Sequence, residues 1–259
     1  MYLHGDGGSH IFHGDGLDNS PTESKDMIQE KKDEVSEHKL KITPNSFDLV
    51  LSNPPFSMKY DKNNLDEKRI INQRELCNNS NTAKSGVLFL DRYHELLKPG
   101  GEMYFSDVYS DRRIPQKLQN DRVLWGECLS GALYWNDFLN VAKKAGFTDP
   151  RAVEDKPITI ENEEVEELVG DIEFYSVTYR LWKLDGLESD CEDYGQAVAY
   201  RGGVPEELLS LKLDDHHIFP KGKVMSVCGN TYNMLHKTRF KKYFDFYGTW
   251  DTHYGIFEG

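Results

Sequence analysis

The chain has 259 residues, 38% hydrophobic and 12% aromatic, enough apolar material for a buried core, which excludes global disorder. Its net charge is −13, with acids outnumbering bases in both halves, so composition offers no basic face for phosphates and disfavours autonomous DNA binding. No apolar run approaches the roughly 18–20 residues of a membrane span, the start MYLHGDGGSH has no signal-peptide pattern, and the scattered Cys77, Cys128, Cys191 and Cys228 point to free thiols in a cytoplasmic setting.

In chain order, residues 18–40 carry both charge signs and read as a solvated helix or loop. SFDLVLSN (46–53) is a short apolar run closed by a turn signal, as expected of a buried strand in a parallel sheet. The polar, Asn-rich stretch 59–85 reads as a long surface insertion. Val87, Leu90, Tyr93, Leu96 and Leu97 fall near helical spacing, Pro99-Gly100-Gly101 stops that helix, and EMYFSDVY follows as a strand. Strand, crossover helix and strand make a βαβ unit, which places the chain in the α/β class with a doubly wound, Rossmann-like sheet. A helix over 135–147 stopped at Gly146, a short acidic helix over 161–171 and a long strand over 173–184 continue the pattern. Residues 185–193 read as a linker, and the rest as a small strand-rich appendage. The expected domains are 1–184 and 191–259.

Asn53-Pro54-Pro55-Phe56 at the end of the first strand carries the sharpest local chemistry. An Asn oxygen and a rigid proline carbonyl can orient an exocyclic amino group, and an aromatic ring can stack on a flipped base. The carboxyl end of a parallel strand is where open α/β sheets place ligands; the competing reading is a plain turn. Asp214, Asp215, His216 and His217 are metal-ligand types in a row, but neighbours on a strand point to opposite faces, so a solvated stretch is expected and no metal site. Gly5-Asp6-Gly7-Gly8 follows no strand and fails as a nucleotide loop.

Two family resemblances run along the chain. HGDGGSHIFHGDGL, FDLVLSNPPF and the helix into LLKPGGEM make residues 1–97 similar to the adenine-N6 DNA methyltransferase subunits of type I restriction–modification systems. That resemblance implies Asp15 near the cofactor's adenine, Asn53, Pro54, Pro55 and Phe56 as the catalytic motif, and DNA as substrate with a separate recognition subunit; for Asp15 the plain reading is a loop aspartate. From about residue 98 to 259 the chain resembles the arsenite S-adenosylmethionine methyltransferases, through KPGGEMYFSDVYSDRR, VLWGECLSGALYW, KKAGFTDPR, LVGDIEFYSVTYRLWKL, CEDYGQAVAYRG, LDDHHIF, VCGNTYNML and HYGIF.

This second resemblance implies S-adenosylmethionine as cofactor, arsenite as substrate and Cys128, in Gly126-Glu127-Cys128-Leu129, as an arsenic-binding thiol. Soft trivalent arsenic suits a thiolate. The alternative for Cys128 is a buried apolar cysteine. A second family thiol corresponds to Pro54 here, a departure for which Cys77 is the substitute to consider, while Cys191 and Cys228 are expected to be structural or surface thiols. Both families hold the cofactor on a glycine-rich loop after the first strand, and no Asp/Glu-x-Gly-x-Gly stands in this sequence. The expectation is therefore a truncated class I methyltransferase sheet lacking its first strands, with an open edge and apolar face that invite a complementing chain. Three readings follow: an arsenite methyltransferase relative, an adenine-N6 DNA methyltransferase, or a non-catalytic remnant that binds a partner.

Overall fold

The structure, a computed structural model, describes residues 16–18, 43–52, 58–77 and 79–258. Strand β1 (Phe47–Ser52) is the expected apolar run. Residues 59–85, expected to be a surface insertion, instead fold into a unit of β2 (Lys59–Asp61), α1 (Leu65–Asn72) and β3 (Thr82–Lys84), with β2 and β3 paired antiparallel. Asn64 caps α1 by accepting from the amides of Asp66 and Glu67. Ile70, Ile71, Cys77 and Ala83 bury themselves with Leu17 and with Leu88 of helix α2 (Ser85–Leu96). Four apolar side chains spread over a polar stretch were enough to build a small core.

Helix α2 ends at Leu96 and the chain enters strand β4 (Leu97–Ser110) at once, so Pro99-Gly100-Gly101 lies inside the strand rather than between elements. A Cβ at Gly101 would stand 2.9 Å from the Lys98 carbonyl oxygen and 3.2 Å from that of Asp48, so the approach of β1 needs a glycine there. Short helices α3 (Gln116–Gln119) and α4 (Arg122–Gly126) follow, then β5 (Leu133–Tyr134), α5 (Trp135–Lys144), β6 (Arg151–Pro157), α6 (Glu163–Val169) and β7 (Phe174–Trp182).

The main sheet has the order β1-β4-β7-β6, with β5 pairing β4. β1 and β4 are parallel, joined through α2 as the βαβ reading expected. β7 is antiparallel to both neighbours, inserted between β4 and the earlier β6. On β1, Phe47, Leu49 and Leu51 face outward, Leu51 with 72% of its surface exposed, which is the open apolar face expected at this edge. The opposite side is dry: α2 and α5 bury Leu90, Phe138 and Ala142 against Met103, Phe105, Tyr109, Val177, Tyr179 and Leu181.

α5 closes at Gly146 in the left-handed region, φ 100°, and a Cβ there would meet His94 Nε2 at 2.6 Å. The His94 ring lies edge-on to Phe147 at 5.1 Å between centroids. Burial first, then the Lys183 charge, pulls its pKa from 6.5 to about 4. An unfolded chain therefore binds a proton between pH 6.5 and 4 that the folded chain refuses, so this contribution to stability is complete above 6.5 and is lost as pH falls toward 4. Urea midpoints should drop more between pH 7 and pH 5 in the wild type than in His94→Gln; equal drops would show that another group governs the acid arm.

Beyond β7 the chain forms β8 (Glu192–Asp193), β9 (Ala197–Tyr200), β10 (Ser210–Lys212), β11 (Ile218–Pro220), β12 (Val224–Ser226), α7 (Gly229–His236), β13 (Phe244–Tyr247) and β14 (Gly255–Ile256). β9 is the middle of a three-stranded antiparallel sheet, β12-β9-β13, and β10–β11 is a hairpin. The strand-rich character was expected; α7 was not, because its apolar positions Met234 and Leu235 are too few to show a helical period. Trp182, at the end of β7, is buried in the appendage core with Val198, Tyr200, Phe219 and Phe244.

A buried ion pair crosses the same junction. Arg180 of β7 donates from Nε to Glu102 of β4 at 2.7 Å and from Nη1 to the Leu213 carbonyl at 3.0 Å, and Arg239 reaches Glu102 from beyond α7.

Candidate functional site

Cys128 sits where α4 gives way to the loop before β5. Asp121 starts that helix, its carboxylate accepting from the amides of Val123 at 2.9 Å and Leu124 at 3.1 Å. Leu124 and Leu129 are both buried with Ile114, Val165, Val169 and Phe174. Between these two anchors the backbone turns sharply: Leu129 N donates to the Leu124 carbonyl at 2.9 Å, and Cys128 takes φ 61°. A cysteine in the left-handed region is uncommon, and such strain gathers at functional sites. The result is a half-exposed thiol rather than a buried apolar one.

Glu127 and Leu129, on either side of Cys128, form one wall of an open groove of about 280 Å³ whose other wall is Ile158–Asn162 and Val165. Trp125, three residues before the thiol, is 62% exposed.

β1 ends at Ser52, opposite Phe105, while β4 runs on to Ser110, and Ser52 Oγ donates to Tyr93 Oη at 2.8 Å. Two residues after Phe105, Asp107 is a carboxyl that sequence reasoning passed over. Burial raises its pKa to about 7, opposed by the Val108 amide and by Lys84. Burial also lowers Lys84, with Asp137 and Asp107 acting against the shift. A carboxyl titrating near neutrality at the carboxyl end of a sheet strand carries the mark of a functional position; its signal in the sequence was an acid inside the apolar strand MYFSDVY.

Asp15 and Asn53, Pro54, Pro55 and Phe56 lie outside the described residues, so the adenine-methylation motif and the adenine-side aspartate have no geometry to report. Cys77 is buried beside Ile71 and Leu88, away from Cys128, and burial pushes its thiol up to about 11, which disfavours the thiolate. Asp214 departs from the expected solvated stretch. It lies in the tight turn between β10 and β11 with 1% of its surface exposed, accepts from the amides of His216 and His217 and from His217 Nδ1, and pairs with Arg151 at 3.3 Å. A turn, unlike a strand, lets neighbouring residues converge. Among the described residues no group of three or more His, Cys, Asp or Glu side chains could hold a metal ion, and no helix is long and apolar enough to cross a membrane. Cys191 and Cys228, expected as structural or surface thiols, both lie against the Arg151 guanidinium, at 3.6 and 3.8 Å from Nη2.

A family described as a methyltransferase domain matches residues 19–146, and a domain of unknown function matches residues 187–250. The crystal structure of an arsenic(III) S-adenosylmethionine methyltransferase from Chlamydomonas reinhardtii superposes with a TM-score of 0.69 at 41% identity, over 84% of this chain and 64% of that one. The fold is that of a class I methyltransferase. An arsenite methyltransferase of Aquipseudomonas alcaligenes is 48% identical over 220 residues, 85% of this chain and 57% of the relative. The arsenite methyltransferase of Mus musculus is 41% identical over 153 residues, 58% of this chain and 39% of the relative. The chain thus spans between two fifths and two thirds of the length of the relatives it resembles.

The methyltransferase match runs without a break across Leu97–Gly101, where the two sequence resemblances meet. The Aquipseudomonas match likewise covers more of the chain than the residues after Leu97 contain. One methyltransferase relative therefore accounts for both sides of that turn, and the restriction–modification resemblance rests on its motif alone.

Proposed function

We propose that this chain provides the substrate end of an S-adenosylmethionine-dependent methyltransferase acting on trivalent arsenic, with Cys128 as the thiol that holds the arsenic. The observation that carries the reading is the setting of that thiol: a partly exposed cysteine at φ 61°, pinned between buried Leu124 and Leu129, whose neighbours Glu127 and Leu129 line an open groove. Arsenic(III) is soft and exchanges oxygen for sulfur. The Cys128 sulfur forms an As–S bond as one As–O bond breaks, and the displaced hydroxide leaves as water with the thiol proton. The arsenic keeps its lone pair, the nucleophile that methylation requires. The relatives' names, arsenite methyltransferase in bacterium and mouse, support the substrate class.

S-adenosylmethionine supplies an electrophilic methyl group when bound. The described residues do not fit it on their own. Proteins of this fold hold it on a glycine-rich turn after the first strand, whereas the described sheet ends at β1 and the sequence has no Asp/Glu-x-Gly-x-Gly. No cofactor step is therefore assigned to these residues, and a complementing segment or chain along the open face of β1 belongs to the proposal.

The test is an arsenite titration followed by tryptophan emission. A saturable change is expected, lost in Cys128→Ser and much reduced in Trp125→Phe. An absent response, or one that survives Cys128→Ser unchanged, overturns the assignment.

A further inference from the structure

Thirty-odd residues separate Cys191 from Cys228 in sequence, and they lie in different elements, yet the fold brings both sulfurs to the same Arg151 nitrogen. Cys191 precedes β8, its carbonyl fixed by the Phe257 amide at 2.8 Å. Cys228 caps the N-terminus of α7, its sulfur 3.4 Å from the Thr231 amide and 3.3 Å from Thr231 Oγ1. Arg151 of β6 reaches over both, with Nη2 at 3.6 Å from Cys191 Sγ and 3.8 Å from Cys228 Sγ.

The surroundings are built rather than incidental. Asp149 holds the Arg151 guanidinium by two bonds, at 2.8 and 2.7 Å, and Asp214 takes a third at 3.3 Å. Asn230, the second residue of α7, donates to Asp149 at 2.9 Å and to the Glu188 carbonyl at 2.8 Å, which ties the loop carrying Cys191 to the helix that Cys228 caps. Cys228 has 1% of its surface exposed, while Cys191 is half-exposed, so the pair is reached from one side only. Neighbouring Cys191, then Thr231 and Arg151, draw the Cys228 thiol well below its ordinary range against the effect of burial.

We propose that Cys191 and Cys228 form a second, dithiol site that chelates a trivalent arsenical, separate from Cys128. The two sulfurs lie against one guanidinium nitrogen, 3.6 and 3.8 Å from Arg151 Nη2, which puts both within reach of one arsenic atom. With arsenite, two As–S bonds form, two As–O bonds break, and the two thiol protons leave with the two hydroxides as water; the arsenic stays trivalent and keeps one hydroxyl, for which Arg151 and Thr231 Oγ1 are the neighbouring hydrogen-bond partners. The second As–S bond closes within a fixed pair, so the site holds arsenic far more tightly than one exposed thiol does. A harder divalent cation is disfavoured, since no third ligand of the right type joins the pair among the described residues. The choice of arsenic among thiophiles rests on the substrate proposed above; the thiol pair does not.

The experiment uses the full chain, reduced and freed of reductant, with phenylarsine oxide, a trivalent arsenical that needs two thiols. In the Cys128→Ser background the expected result is one arsenical per chain and the joint loss of two titratable thiols. Adding Cys191→Ser should weaken binding at least tenfold and leave the fold intact, because Cys191 is half-exposed; Cys228→Ser should do the same, and Cys191→Ser decides if that variant does not fold. Tight binding that survives Cys191→Ser, or thiols that titrate singly, overturns the site. No tryptophan response to arsenite in the unsubstituted chain, alongside phenylarsine oxide binding that Cys191→Ser weakens, would instead count against Cys128 and leave this site standing.

Discussion

Glu102→Ala should lower the unfolding free energy by about 3–5 kcal/mol, the range for removing one partner of a buried ion pair. Glu102 and Arg180 are each 2% exposed, and Glu102 is also the anchor for Arg239. Without the carboxylate the Arg180 guanidinium stays buried among Tyr104, Trp182 and Phe240, with ring centroids at 5.1, 4.8 and 4.8 Å, and keeps one neutral acceptor, the Leu213 carbonyl. Cation–π contacts offset only part of that loss. Arg239→Ala should cost under about 1 kcal/mol, because its half-exposed side chain is screened by water. Urea unfolding of the three proteins checks both numbers. A loss below about 1 kcal/mol in Glu102→Ala would mean that water reaches Arg180 once the carboxylate is gone, and that the appendage does not depend on this pair for its seat on the sheet.

Phe138→Ala should cost about 3–5 kcal/mol by cavity formation. Phe138 is fully buried where α5 meets the sheet, and its ring packs on Phe105 at 5.7 Å, Tyr109 at 4.8 Å and Tyr179 at 4.7 Å. Those three rings come from β4 and β7, so the residue closes helix, parallel strand and antiparallel strand into one core. Phe138→Leu should recover more than half of the loss, since it returns most of the volume. Thermal and urea unfolding of both variants would show it; equal losses would mean that ring stacking, not filled volume, is what the site supplies.

Strands β1, β4 and β7 and the two large helices were legible because each is written in contiguous residues, whereas β5 and β6 were not read. The apolar run FDLVLS, the helical spacing through Leu90 and Leu96, and the stop at Gly146 stand where β1, α2 and the end of α5 stand. Residues 59–85 were misread for a physical reason: their polar surface outnumbers the few positions that go inside, and Arg74 and Arg92 are buried only because Glu95 bridges both, at 2.7 and 2.8 Å. Local composition does not show a charge that is neutralised from another element.

Of the candidate site, Cys128 could be singled out from its segment and from the softness of arsenic. Its exposed setting could not, since the strained turn depends on where Leu124 and Leu129 find their core. Asp107 was hidden for the converse reason: an acid in a strand reads as a solvent-facing residue until the elements covering it are in place.

What the sequence by itself determined is the apolar strands and the larger helices, the α/β class and the resemblance to methyltransferases, all of which live in short-range pattern and motif. Only the tertiary structure decided the antiparallel insertion of β7, the burial of Asp214 in a hairpin turn and the meeting of Cys191 with Cys228 beneath Arg151. Each of these needs polar groups far apart in the chain to satisfy one another away from water, and that pairing is chosen by the geometry of the packed sheet rather than by any residue's neighbours in sequence.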